Sequence, residues 1–374
     1  MRRNPPPKVP LRIAFVGLFF LVCFFAAAQD SADYDFSIEQ GRVTITAYHG
    51  NAVGLMIPRE IQGIPVVAIG YEAFMDRGLN SVVIPNSVTS IADKAFYRNR
   101  LTRVILGSKL MSIGYKSFAD NNIERLILPD GLRIIGNGAF YGNQLTRIII
   151  PNSVTTMGTE AFAHNQLTRL TLGRGISSLS DSVFANNLLD RVDIPGTVTR
   201  IGSRAFADNE LSAVTLSQRL REIDSWAFAG NQLTGVEIPN SVTAILYRAF
   251  ENNKLVTVNL GNGLTIIRDS AFANNLLEQV VIPDSVTVIG ERSFENNRIT
   301  EVSLGSSVGE IGARAFAGNP LRSVVIPDSV YTMGPEAFGD NPPLRYTYNG
   351  RVVLGQGALE AELRKRPPAG GFLY

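Results

Sequence analysis

Thiol and imidazole chemistry have almost no place in this chain: its 374 residues include one cysteine, Cys23, and two histidines, His49 and His164. A lone cysteine forms no intrachain disulfide and no multi-thiolate metal site. With so few histidines no H-E-x-x-H or Cys/His ligand spacing can be written, and no Walker loop occurs. "GNG" at Gly136 to Gly138 lacks both the full glycine spacing and the following lysine. The scattered Asp and Glu residues mark no acid–base pair. No catalytic residue, cofactor or metal is therefore expected, and both histidines read as solvated surface residues.

Excess charge of either sign is lacking as well. The chain carries 35 Lys and Arg against 33 Asp and Glu, and four of the cations, Arg2, Arg3, Lys8 and Arg12, crowd into its start. Without those four, 31 basic residues face 33 acidic ones. That balance speaks against nucleic acid as a partner and against adaptation of the whole chain to an anionic membrane, so electrostatic recognition must be local.

Only one long apolar run exists, Ile13 to Ala28, closing on Ala26-Ala27-Ala28 ahead of Gln29-Asp30. A positive leader, an apolar stretch and a small-residue site describe a signal peptide over 1–28, cleaved after Ala28. The alternative is an uncleaved anchor, for which 16 residues fall short of the roughly 20 that span a bilayer. Lipidation of Cys23 calls for small residues before it, and Phe20-Leu21-Val22 supplies bulky ones. The expected location is the cell surface or outer envelope, or the medium, with the periplasm as the alternative. The membrane enters only through the N-terminal signal or anchor.

What the chain has in abundance is repetition. Phenylalanine falls at 74, 96, 118, 140, 162, 184, 206, 228, 250, 272, 294, 316 and 338, a constant step of 22 over thirteen units. Five before each Phe stands Ile, Leu or Met, and eight before it Val, Leu or Ile. After it, Leu101-x-x-Val104-x-Leu106 and Leu145-x-x-Ile148-x-Ile150 write the L-x-x-L-x-L phrase of a leucine-rich repeat. Three after the Phe, Asn recurs in twelve consecutive units from Asn99 to Asn341. Such a column predicts a ladder satisfying backbone groups of its own coil and the next. The recurring glycines at Gly114, Gly136, Gly158, Gly202, Gly290, Gly312 and Gly334 read as chain turns that need a residue without a Cβ.

Twenty-two residues leave no room for a long helix. Each unit reads as a strand, a turn at Pro or Gly, an extended S-V-x-x-I-G segment and one helical turn around A-F-x-x-N. No coil buries its apolar columns alone, so the coils must stack into a solenoid. The expected fold is a β-rich leucine-rich-repeat array of about thirteen 22-residue units with short helical turns and capping segments. Residues 29–65 form an N-terminal cap hairpin, turning at Gln40-Gly41, with a lead-in segment. The solenoid covers 66–341. In the C-terminal cap 342–374, "LRYTYNGRVVL" makes a final strand pair and "RKRPPAGGFLY" a flexible basic tail.

The "IP-x-S-V-x-x-IG-x-x-AF-x-x-N" phrase and the opening "VTITAYHG…IPREIQGIPVVAIG" resemble the bacterial BspA-like leucine-rich repeat proteins over about Phe36 to Tyr348. The resemblance implies an exported surface protein that attaches to host cells or extracellular-matrix proteins. Members share no catalytic residues, so none is carried over.

The variable strand positions carry the binding expectation. Seven and nine residues after each Phe flank an inward residue, so both point outward by strand alternation. The first column holds Arg103, Arg125, Arg147, Arg169 and Arg191 in succession, and the second holds Ile105, Ile127 and Ile149. Like charges facing each other across strands destabilise a sheet, so stability alone would not choose five stacked arginines. The expected site is this guanidinium stripe beside an exposed Ile stripe on the first half of the concave face. Its ligand would be a protein partner, a host extracellular-matrix or cell-surface protein, or an anionic glycan. The alternative function is an envelope scaffold for a bacterial partner. The stripe itself has a plainer explanation in shared repeat ancestry, since "LTR" recurs, and Glu124, Asp190 and Asp193 could partly neutralise it. Trp226 reads as a local packing feature.

Overall fold

The computed structural model describes residues 31–364. The leader 1–28 with Cys23, and the tail from residue 365 onward, lie outside the described residues.

Each coil has two strand-bearing faces joined by turns. One face carries a three-residue strand, such as Arg147–Ile149, and the other a two-residue strand, such as Thr156–Met157. Coils pair in parallel and in unit register: Ile148 lies opposite Leu170, and Ile134 opposite Thr156. On the two-residue face, eight strands from Ser178–Leu179 to Thr332–Met333 form one continuous sheet. The "S-V-x-x-I-G" phrase supplies that face, with its Ile pointing inward.

Between the faces runs a column of thirteen phenylalanine rings. Neighbouring centroids lie 4.9–5.7 Å apart, with interplanar angles of 2–15°. Such distances suit offset stacking, and each buried ring contributes about 1.5–3 kcal/mol by leaving water. At the N-terminal end Tyr34 and Tyr48 cover Phe74, with centroids at 6.4 and 5.5 Å. At the other end Tyr346 stands edge-on to Phe338 at 5.7 Å. Burial raises the pKa of the Tyr34 hydroxyl, and burial with the nearby Glu360 charge pushes that of Tyr346 up to about 12.

The asparagine ladder forms, but it reaches back rather than forward. Asn187 Nδ2 donates to the carbonyls of Phe184 and Ala185 in its own coil and of Phe162 in the preceding one, at 3.0–3.2 Å. Its Oδ1 accepts the N–H of Leu167, also in the preceding coil, at 3.0 Å. A short branched amide can serve this way because the loop after each Asn passes directly above the loop before it.

The helical turn expected around A-F-x-x-N does not form. Each Phe instead sits between two left-handed residues, as with Glu160 (φ 57°) and His164 (φ 55°) around Phe162. With this backbone the Phe and the Asn three residues on are both buried, Phe162 and Asn165 among them. The glycine column meets the expected need for a residue without a Cβ. Gly158 does not have a positive φ, yet a Cβ there would lie 2.3 Å from the Asn137 nitrogen, so close coil-to-coil approach demands it.

Both caps close the stack. Strands Tyr34–Glu39 and Arg42–Tyr48 form the expected hairpin, with Gln40 (φ 52°) and Gly41 (φ 71°) at its turn. Arg345–Tyr348 and Arg351–Leu354 form the C-terminal pair. Beyond it comes a helix, Gln356–Arg364, that the sequence reading missed; Leu359 and Leu363 are its buried side. Arg364, assigned above to a flexible tail, ends this helix.

Candidate binding face

Between Arg147 and Ser303 the face of three-residue strands is organised in pairs of coils, while at the N-terminal end Gly54–Met56, Ser81–Val83 and Arg103–Ile105 join as three strands and at the other end Ser323–Val325 joins the C-terminal pair. Its two-stranded sheets join Arg147–Ile149 to Arg169–Thr171, Arg191–Asp193 to Ala213–Thr215, Gly235–Glu237 to Thr257–Asn259 and Gln279–Val281 to Glu301–Ser303. In each pair the first strand is followed by Pro and the second by Gly or Ser. The cause is steric on one side: a Cβ on Gly173 would lie 2.3 Å from the Pro151 carbonyl oxygen, and one on Gly107 equally close to that of Pro85. The bare glycine lets the second coil close onto the first, and hydrogen bonds such as Ile150 N–H to Thr171 O, 2.9 Å, then form.

From Pro85 onward that alternation slips once, whereas Pro58 and Pro85 also occupy successive coils and yet their strands pair. Pro85 is followed by Gly107, but Pro129 and Pro151 then occupy successive coils. The coil of Arg125 is left without a three-residue strand, joined to its neighbour by the single Arg103–Arg125 bridge. Leu128 N–H, the counterpart of Ile150 N–H, makes no backbone hydrogen bond among the described residues. A cleft of about 980 Å³ opens there, lined by residues that include Arg103, Ile105, Arg125, Ile127, Leu128 and Pro129.

The sequence-named residues converge on this region. Arg103, Arg147 and Arg191 are exposed at the heads of strands whose middle residues are buried, as alternation requires. Arg125 and Arg169 are exposed too. The ladder is less regular than expected: Arg103 faces Arg125 and Arg147 faces Arg169, while no strand pairing joins Arg125 to Arg147 or Arg169 to Arg191. The isoleucines stand well clear of the core, Ile105 at 43 %, Ile127 at 86 % and Ile149 at 66 % exposed. Leu128 and Pro129 were missed as part of the site, although two prolines one period apart were a legible signal.

Neutralisation is slight. Among the described residues, Arg103, Arg125, Arg147 and Arg169 form no ion pair, and only Arg191 meets a carboxylate, that of Asp190 at 3.5 Å. Glu124 and Asp193 do not reach them. Elsewhere, Arg200 pairs with Glu222 and Asp224, and Arg314 meets Glu295, Glu336 and Asp340.

The other singled-out groups lie apart from this face. His49 Nε2 is 2.8 Å from Asp35 Oδ2 at the surface of the cap, and the exposed His164 ring lies 4.9 Å from that of Tyr141. Trp226 sits between the Arg204 and Arg248 guanidinium groups, 5.2 and 5.8 Å from its ring. No G-x-S-x-G was expected from the sequence, yet Gly305 to Gly309 has that spacing. Ser307 lies in an exposed turn with no helix following, so the strained strand-to-helix elbow of that motif is missing. Among the described residues no group of three or more His, Cys, Asp or Glu could hold a metal ion.

Known proteins share this architecture. A leucine-rich repeat protein from Bacteroides ovatus is 23 % identical, with a TM-score of 0.63 over 82 % of this chain and 90 % of its own. A leucine rich cell surface protein from Faecalibacterium prausnitzii is also 23 % identical, with a TM-score of 0.54 over 83 % of this chain and 85 % of its own. At that identity the likeness concerns the fold alone. No curated protein matches. The BspA type leucine rich repeat region, in 6 copies, matches residues 67–189, 177–297 and 222–345. By that match, which spans the whole solenoid, the chain belongs to the BspA-type leucine-rich repeat family.

Proposed function

We propose that this protein is an exported, non-enzymatic binding protein displayed at the cell surface, an adhesin that offers its three-residue-strand face to a host matrix or cell-surface macromolecule. One observation carries the reading: four guanidinium groups without carboxylate partners stand beside isoleucines that are up to 86 % exposed. Packing explains neither feature. Exposed like charges in register cost stability, and clustered exposed apolar side chains mark interaction sites. The leader-like sequence of residues 1–28 and the cell-surface description of the Faecalibacterium protein support the location.

The test is binding of the purified protein to a panel of matrix proteins and sulfated glycans across a salt series. A matched variant carries Ser at 103, 125, 147, 169 and 191. Binding that weakens with salt and disappears in the folded variant is expected. Unchanged binding would assign the stripe to repeat ancestry and move the site elsewhere. Protease treatment of intact cells checks display, because a periplasmic scaffold would be spared.

A further inference from the structure

We infer that the cleft at the slipped coil is an anchor subsite for one apolar side chain of an extended, acidic polypeptide that lies along the guanidinium column. This rests on the binding-face reading above and names the class of partner for it.

Three features select this occupant. The first is that the cleft has an apolar side, Ile105, Ile127, Leu128 and Pro129, at the coil that forms no three-residue strand. With Ile127 the most exposed of the isoleucines, a partner's aliphatic or aromatic side chain would remove that surface from water. A sulfated glycan presents no comparable apolar group, and would leave the Ile stripe exposed.

The second is charge. Within the cleft the lining is balanced, Arg103 and Arg125 against Glu124 and Asp130, which suits a neutral apolar anchor. Beyond it the unpaired Arg147 and Arg169 continue the stripe with no neighbouring carboxylate bound to them. Acidic residues following the anchor would meet planar guanidinium groups that accept carboxylates in a two-pronged geometry.

The third is spacing. The coil step, taken from the phenylalanine stack beneath, is 4.9–5.7 Å. Two coils therefore come close to one turn of polyproline II chain, three residues at about 3.1 Å each. A peptide in that conformation with Asp or Glu every third residue carries its carboxylates on one side, over arginines of alternate coils.

A random peptide library displayed on phage and selected on the full chain tests this, with Ile127→Ser and Arg147→Ser variants used for comparison. Ile127 is largely outside the core, so its replacement leaves the fold intact, which circular dichroism checks. The expected peptides carry one large apolar residue with acidic residues at three-residue intervals, and bind each variant at least tenfold more weakly. Heparin serves as the glycan probe on the same proteins. Selected peptides that are acidic without an apolar residue, or that ignore Ile127→Ser, overturn the cleft. Heparin binding lost on replacing the five arginines but untouched by Ile127→Ser, with no peptide enriched, overturns the peptide partner while sparing the binding face. If neither peptide nor heparin binding responds to the five-arginine variant, the binding-face reading fails with it.

Discussion

Arg125 and Arg314 come from the same repeat yet meet opposite surroundings. Arg314 directs its three nitrogens at Glu295, Glu336 and Asp340, at 2.6–2.8 Å, and these hydrogen bonds raise its pKa further above the usual guanidinium value. Arg125 faces another arginine and has no carboxylate. The difference is one of column. Arg314 stands two residues before its Phe, in the turns, where acidic residues from the coils before and after converge on it. Arg125 stands at the strand position of its coil, bridged to the adjacent one, where register delivers the same column and that column is arginine. A repeat can therefore neutralise charge in its turns while keeping it unpaired along a strand.

The largest effect tests what that comparison takes for granted, that the interior and not the surface charge holds the solenoid together. Phe206→Ala removes one ring from the stack and should cost about 3–5 kcal/mol in urea unfolding, since rigid neighbours above and below cannot close the cavity. A loss below about 1 kcal/mol would mean the rings do not act as one packed column. Arg314→Ala should cost about 0.5–1 kcal/mol, and less in high salt, because two of its three partners are mostly exposed. A cost independent of salt would show that packing of the side-chain stem, rather than charge, is what Arg314 supplies.

On the other side of the comparison, Arg147→Thr should leave stability unchanged or raise it by about 0.2–0.5 kcal/mol in thermal unfolding, as one like-charge pairing with Arg169 is relieved. A clear loss would make that arginine structural. The smallest effect concerns Glu251, whose carboxyl is pushed up by burial, with Arg248 pulling the other way. Its pKa is higher folded than unfolded, so its ionisation costs stability at neutral pH. That cost fades as pH falls through the raised folded pKa and is gone below the ordinary carboxylate value. Glu251→Gln should raise stability slightly at pH 7 and flatten the dependence on pH through the acid window. An unchanged slope between wild type and variant would contradict the burial effect.

Reading the chain as a sequence located the arginine and isoleucine columns correctly because both depend only on alternation within a strand. It expected five equal rungs, whereas pairing between coils divides them. It also listed three acids as neutralising and only Asp190 reaches an arginine, since the distance between side chains of adjacent coils does not follow from their columns alone. The missed helix Gln356–Arg364 has its two buried leucines four apart, Leu359 and Leu363, too short a pattern to stand out without the surface it packs on.

The sequence by itself determined the 22-residue period, the inward Phe and Asn columns, the outward Arg and Ile columns and the hairpin cap at Gln40-Gly41. Each of these follows from the spacing of residues within one coil or from the chemistry of one turn. Only the tertiary structure decided that coils between Arg147 and Ser303 pair two by two, that the coil of Arg125 forms no three-residue strand, that a cleft opens there and which arginines stay without a carboxylate. Those outcomes depend on how closely one backbone can approach another a full period away in sequence, and that distance is fixed only when the coils stack.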